Sequence, residues 1–328
     1  MSRFFSKSMI WTYLVIAIIG YFYFQDSLVT TSVAGSALLF GLPLAMAAMV
    51  GILSERTGIV NIGIEGTLLF SAFLGFFIGA LTGNLLFGLM LALLGGIVMT
   101  LLLAILTVNW KMDQIIAGTI INILAAGLTS FFYKQGYALP SIMPRWQIPF
   151  LSDLPFIGPV LFTHGPLTYL GLILIIALWV GLFHTRWGLR SRAIGEYPSS
   201  ADAAGIKVNR LKYINLIIAG GFGGLTGAYL TLELVGSFDR GFSAGKGFTA
   251  LALMIFGRWN PLGALAAAMF FGTAQAVANQ LMITGVVNIP QPFINMLPYV
   301  LTIIVLAVSA GKVRPPAAAG RPYEKEDA

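Results

Sequence analysis

Apolar runs near twenty residues long repeat along the chain, and Gly, Pro, Asn or charged residues mark their ends. The runs read as Met9–Phe24, Ser32–Leu53, Ile59–Leu81, Leu85–Val108, Gln114–Tyr133, Leu167–Phe183, Tyr213–Leu234, Phe248–Gly257, Leu262–Ile283 and Phe293–Ala310. A run of about 18 or more apolar residues is long enough to span a bilayer as a helix. The pattern predicts an all-α polytopic membrane protein of about ten spanning helices, with residues 1–310 as the transmembrane domain. Phe248–Gly257 is too short to cross alone. It is kept as a crossing, started earlier at Ser243 or formed as half of a broken helix.

Charge placement orients this scheme. The 328 residues have mean hydropathy +0.88, 9% charged residues and a net charge of +7. In a soluble chain such a charge would suggest nucleic acid; here it records topology, and no nucleic-acid partner is expected. With the N-terminus inside, only Lys134, Arg145, Arg240 and Lys246 of the 19 Lys and Arg fall outside. That bias is the positive-inside pattern, so both termini are expected in the cytoplasm. Arg3 and Lys7 followed by Met9–Phe24 also have the form of a signal peptide, but an uncleaved first helix fits the parity better. Cysteine is absent, which excludes disulfides, thiolate metal sites and cysteine nucleophiles.

Glycines at close spacing, Gly75–Gly79, Gly220–Gly224 and Gly223–Gly227, suit close helix packing in lipid. "LPLAMAAMVG" (42–51) and "FTALALMIFG" (248–257) both precede a polar break and another helix, a candidate inverted repeat of the kind transporters use. Residues 311–328, Pro/Ala-rich and charged, are expected to be disordered.

Two chemistries drop out. "GFSAGKGFT" (241–249) has three residues between Gly241 and Gly245 and Gly247 after Lys246, so it is not a phosphate-binding loop. His164 and His184 lie at segment ends, and no HExxH or paired intramembrane aspartate accompanies them. Without a base near a nucleophile, the sequence describes no enzyme; no metal site or cofactor is expected either. What remains inside the membrane is sparse. "SERTGIVNIGIEG" (54–66) sets Asn61 and Glu65 four residues apart, on one face if helical. An intramembrane carboxylate normally faces protein or a water-filled cavity. A translocation path, a buried helix–helix hydrogen bond and pairing with Arg56 all remain open. Asn122 is a further path candidate, and Asn215, Gln275, Asn279 and Gln280 are softer ones. Glu233, near an outer helix end, reads as a solvated charge. The outer loop 134–166 carries aromatics suited to the interfacial belt.

The loop 185–212 is polar and basic on the inner side. Within it, Pro198 followed by "SSADAAGI" reads as a short helix: Pro near the start, Ser caps, alanines, and Gly205 as the stop. A short cytoplasmic helix of small residues suits a groove on a soluble partner.

"TRWGLRSRAIGEYPSSADAAGI" (185–206) resembles the cytoplasmic coupling segment of ABC-importer permeases of the branched-chain amino acid, simple sugar and nucleoside group. The resemblance extends in order through "SERTGIVNIGIEGTLLFSAF" (54–73), "MDQIIAGTIINILAAGLTSFF" (112–132) and "GKGFTALALMIFGRWNPLGALAAAMFFG" (245–272). "NIGIEG", "FGRWNPLGA" and the ending "INMLPYVLTIIVLAV" look most like the nucleoside-uptake branch. The resemblance implies a permease subunit in the cytoplasmic membrane that works by alternating access. Its implied partners are a cytoplasmic ATPase that binds ATP, a second and often different permease, and an external lipoprotein that binds the substrate. Carried over by position, the ATPase contact falls on Arg192, Gly195, Glu196, Pro198, Ala201, Ala203, Ala204 and Gly205. A ribose-like sugar permease is the first alternative. An ion-coupled secondary transporter with Glu65 as its carboxylate is the second.

Overall fold

The computed structural model describes residues 23–284 and 314–324, with isolated positions between 290 and 303. Apolar runs flanked by cap residues become helices, which here number seven of spanning length among the described residues. They are α1 (Ser27–Glu55), α2 (Ile64–Thr82), α3 (Leu85–Ala104), α4 (Gln114–Phe132), α6 (Pro166–His184), α9 (Val208–Ala228) and α11 (Pro261–Thr284). The short ones are α5 (Ile157–Leu161), α7 (Arg186–Glu196), α8 (Pro198–Ala203) and α10 (Lys246–Phe256). A π-helical turn extends α3 through Ile105–Asn109, and another extends α9 through Tyr229–Val235. Eight of the ten expected runs thus appear as helices. The first run, apart from its last two residues, and most of the last lie outside the described residues.

Helix α1 is the axis of the bundle. Asp26 starts it by accepting from the Val29 amide, and from Gly41 to Glu55 every residue is buried. A helix apolar on all sides belongs in a core, and α9, α10 and α11 supply the cover. The seams run through glycines. Gly41 on α1 lies against Gly272 on α11, Gly88 on α3 against Gly75 and Gly79 on α2, and Gly96 on α3 against Gly220 and Gly224 on α9. The GxxxG pairs thus serve backbone approach, which substitutes for a hydrophobic driving force between helices in lipid.

The two blocks taken as a candidate inverted repeat run in the same direction. Gly51 lies against Met254, and the helix ends meet where the Trp259 indole donates to Glu55 at 2.6 Å. An inversion would oppose them, so this pair is not an inverted repeat. Arg56 completes the join by donating to the Trp259 and Arg258 carbonyls.

The tail is also unlike the expectation. Residues 314–324 are packed as a strap over this same basic end. The Ala318 amide donates to the Gly195 carbonyl at 2.9 Å and the Ala317 amide to Glu196 at 3.2 Å. Ala318 is buried, Tyr323 packs with Ile194, Ala201 and Val208, and Glu324 pairs with Lys111 at 2.9 Å. Proline disfavours helix and sheet in a segment, but it does not prevent the chain from bonding to a ready surface.

Candidate functional site

The first candidate site is a junction of broken helices. Residues Ile59–Gly63 precede α2 as non-helical chain, so Asn61 and Glu65 do not share a helical face as expected. Gln114 at the start of α4 holds this stretch, accepting from the Val60 amide and donating to the Gly58 carbonyl. Asn61 is fully buried and donates to Ser54. Asn122 accepts from the Gly66 amide at 2.7 Å and donates to the Ile62 carbonyl at 3.1 Å. It therefore caps α2, whose own preceding residue, Gly63, has no side chain to do so.

Glu65 plays the corresponding part for α10. One of its oxygens accepts from the Ser243 hydroxyl (2.6 Å) and the Gly245 amide (2.7 Å), and the other from the Gly247 amide (2.7 Å). A carboxylate at a helix N-terminus satisfies orphan amides and meets the positive end of the helix dipole. Helix α10 has 11 residues, a rise of about 16 Å, or roughly half of a bilayer core. Its far end meets Glu55 and Arg56, so its start lies near mid-depth. The chain from Gly236 to Gly245 descends to that point from the opposite end, where Asp239 accepts from Tyr133 at 3.0 Å. The short run is thus the half of a crossing nearer the basic end, and the other half is loop. Lys246, counted as exterior from sequence, opens α10 beside Glu65. This junction, half-exposed at Glu65 and Asn122, is where unwound backbone and two helix N-termini meet, the geometry membrane transporters use at substrate and ion sites.

A third long-range side-chain cap lies at the end opposite the basic one. Glu233 accepts from the Leu167 and Thr168 amides and the Thr168 hydroxyl at 2.6–3.2 Å, closing the start of α6. It is bonded, not solvated as expected.

The second candidate site is the basic end around α7 and α8. Pro198 opens α8, and Gly205 (φ 80°) stops the chain after it, as its sequence implies. The Ser caps do not form: Tyr197 occupies the cap position, and Ser199 and Ser200 lie inside the helix. Arg192, Gly195 and Glu196 are on α7 rather than on the short helix. Four of the eight carried-over residues face outward: Glu196, Ala203, Ala204 and Gly205. Ala201 is buried against Ile194 and Val208. Gly195 leaves no room for a β-carbon against the Arg56 carbonyl. The Arg192 guanidinium lies 4.9 Å from the Phe183 ring centre, and Pro198 is half-buried. The inward-facing members seat the segment on α1, and the strap holds it from outside. Deleting residues 314–328 is expected to leave the bundle inserted and helical while raising amide hydrogen exchange across 192–206 at least tenfold, since local opening follows the lost contacts. Unchanged exchange there would mean the strap carries no load.

Sequence reasoning missed Gln114, Ser243, Trp259 and Glu55. Ser243 lay in the glycine-rich stretch set aside as a false phosphate loop, and its position one residue before Ala244–Gly245 was the available signal.

Comparison with known proteins places this geometry. A family model described as "Branched-chain amino acid transport system / permease component" matches residues 33–306. The nucleoside ABC transporter permease protein NupC of Lactococcus lactis subsp. cremoris is 39% identical over 312 residues, covering 89% of this chain and 96% of NupC. The guanosine ABC transporter permease protein NupQ of Bacillus subtilis is 37% identical over 313 residues, covering 88% and 95%. The putative glucose ABC transporter permease protein TsgC13 of Haloferax volcanii is 32% identical over 290 residues, covering 80% and 87%.

Proposed function

The chain belongs to the branched-chain amino acid transport system permease family, and from that premise we propose that it is the permease of an ATP-driven nucleoside importer. It is a multi-pass membrane protein and a transporter subunit; hydrolysis belongs to a separate ATPase. The observation that carries the nucleoside reading is near full-length similarity to NupC and NupQ, both named for nucleoside substrates. A sugar remains the second reading because TsgC13 is named for glucose and matches at 32%.

The basic end is cytoplasmic in this reading, and the tail 314–324 with it; an inside N-terminus rests on the sequence expectation that Met9–Phe24 crosses, since those residues lie almost wholly outside the described ones. The ATPase seats on the outward residues Glu196, Ala203, Ala204 and Gly205, and its closure rocks α7 and α8 against the bundle. The external lipoprotein delivers substrate to the opposite end. A second, non-identical permease covers the face of α10 where Phe248 and Ile255 are exposed, because unwound backbone at mid-depth needs protein or a water-filled cavity beside it. Asn61, Glu65 and Asn122 border that cavity as its frame. Glu65 and Asn122 spend their polar atoms on backbone groups and Ser243, whereas the buried Asn61 Oδ1 has no partner among the described residues and is left as a free acceptor at the junction.

Two tests bear on this. Uptake by cells carrying the gene should survive collapse of Na⁺ and H⁺ gradients while ATP is maintained; loss of uptake under those conditions would favour an ion-coupled carrier. The variant Ala203→Trp, on an exposed position, should fold normally yet lose at least tenfold in both copurifying ATPase and uptake. Full uptake by that variant would remove the coupling assignment.

A further inference from the structure

A groove of about 660 Å³ lies beside the coupling segment, between α7, the turn after α8 and the first turns of α9. Three of its lining residues are cations, Arg190, Lys207 and Arg210, and no Asp or Glu lines it. All three are exposed. Among the described residues the single ion pair is Lys111–Glu324, so none of the three forms an ion pair with them. The rest of the wall is largely apolar, including Leu189, Ile206 and Ile214. Leu189 is 62% exposed, and Ile214 continues into Ile217, 39% exposed, one turn further along α9 toward the bundle's middle. Cations therefore sit at the helix start and apolar side chains rise from them along the outside of a spanning helix.

A water-soluble anion has no use for that apolar stripe, and an acyl chain alone has none for three unpaired cations. Both together match one amphiphile. We propose that this groove binds an anionic phospholipid, its phosphate among Arg190, Lys207 and Arg210 and an acyl chain along Ile214 and Ile217. Basic pockets at the cytoplasmic ends of spanning helices hold anionic headgroups by the same combination. The groove's edge also includes Ala204 and Gly205, the turn between α8 and α9, which it shares with the proposed ATPase seat. A lipid seated there braces that turn, so coupling strength follows the anionic lipid content of the membrane. Lipid binding at the site rests on membrane embedding and not on the identity of the substrate, while its effect on coupling rests on the ATPase reading above.

The test is native mass spectrometry of the full chain released from micelles containing phosphatidylglycerol or phosphatidylcholine. The wild-type protein should retain phosphatidylglycerol selectively. Each cation near an anionic lipid is worth about fivefold in affinity, so the triple variant Arg190→Gln, Lys207→Gln, Arg210→Gln should lose about a hundredfold. The charge-preserving Arg190→Lys, Arg210→Lys pair should keep most of the selectivity, which separates charge from shape. Added inorganic phosphate should not displace the lipid. Equal retention of both lipids, displacement by inorganic phosphate, or a triple variant that keeps its lipid but loses copurifying ATPase would each overturn the site. Uptake of any substrate plays no part in this readout, so a wrong substrate assignment leaves it standing.

Discussion

Glu65→Ala is expected to abolish uptake and to lower the protein's stability by about 4 kcal/mol or more. Three donors, the Ser243 hydroxyl and the Gly245 and Gly247 amides, lose their acceptor at once. Hydrogen bonds to a charged group contribute about 1.5–3 kcal/mol each, and donors stranded away from water cost more than the bond was worth. Glu65→Gln keeps the shape but turns an amide donor toward at least one of those donors, so its loss should be smaller yet clear. Thermal unfolding in detergent, followed by uptake in cells, checks both. If Glu65→Ala unfolds at the wild-type temperature, Glu65 is not the cap of α10. If it folds normally and only transport is lost, the carboxylate acts on substrate directly.

Gly96→Val should be the most damaging change in the bundle's interior. A β-carbon there meets the Gly220 carbonyl oxygen and the Gly224 backbone with no flexible side chain to yield. Overpacking against movable side chains costs about 1–3 kcal/mol; against backbone the helices must separate, which opens the α3–α9 seam. The expected outcome is little protein reaching the membrane in folded form. As a contrast, Gly221→Ala on the facing helix α9 meets open space and should accumulate normally. Equal accumulation of Gly96→Val would mean the two helices do not approach as described.

The helices were readable from sequence wherever the cause is local. Gln114–Phe132, Pro166–His184 and Pro261–Thr284 match their apolar runs to within a few residues, because Asp113 and Asn260 offer side-chain acceptors and Pro166 opens its helix. The short helix α8 was readable for the same reason: Pro198 and Gly205 bracket it. What stayed hidden depends on distant partners. Glu65 caps a helix 180 residues away, and Asn122 caps one 56 residues away, so no window of sequence contains both halves of the cap. Ile59–Gly63 is apolar enough to pass for helix, and Gln114 and Asn122 on α4 bond its backbone in the unwound form. The strap over α7 was hidden because Pro- and Ala-rich composition describes an isolated segment, and this one takes its order from the Gly195 carbonyl and the Glu196 carboxylate. For the candidate sites, Asn61, Glu65 and Asn122 singled out from sequence do meet at one junction, and the segment 185–206 does form short helices at the basic end. Sequence could not tell the members that face outward from those that seat the segment.

The most direct measurement of the central claim is uptake of labelled uridine, adenosine, guanosine and ribose at low external concentration, in cells with and without the gene. The account predicts loss of nucleoside uptake on deletion, with ribose uptake unchanged. Loss of ribose uptake alone, with nucleoside entry intact, would contradict it.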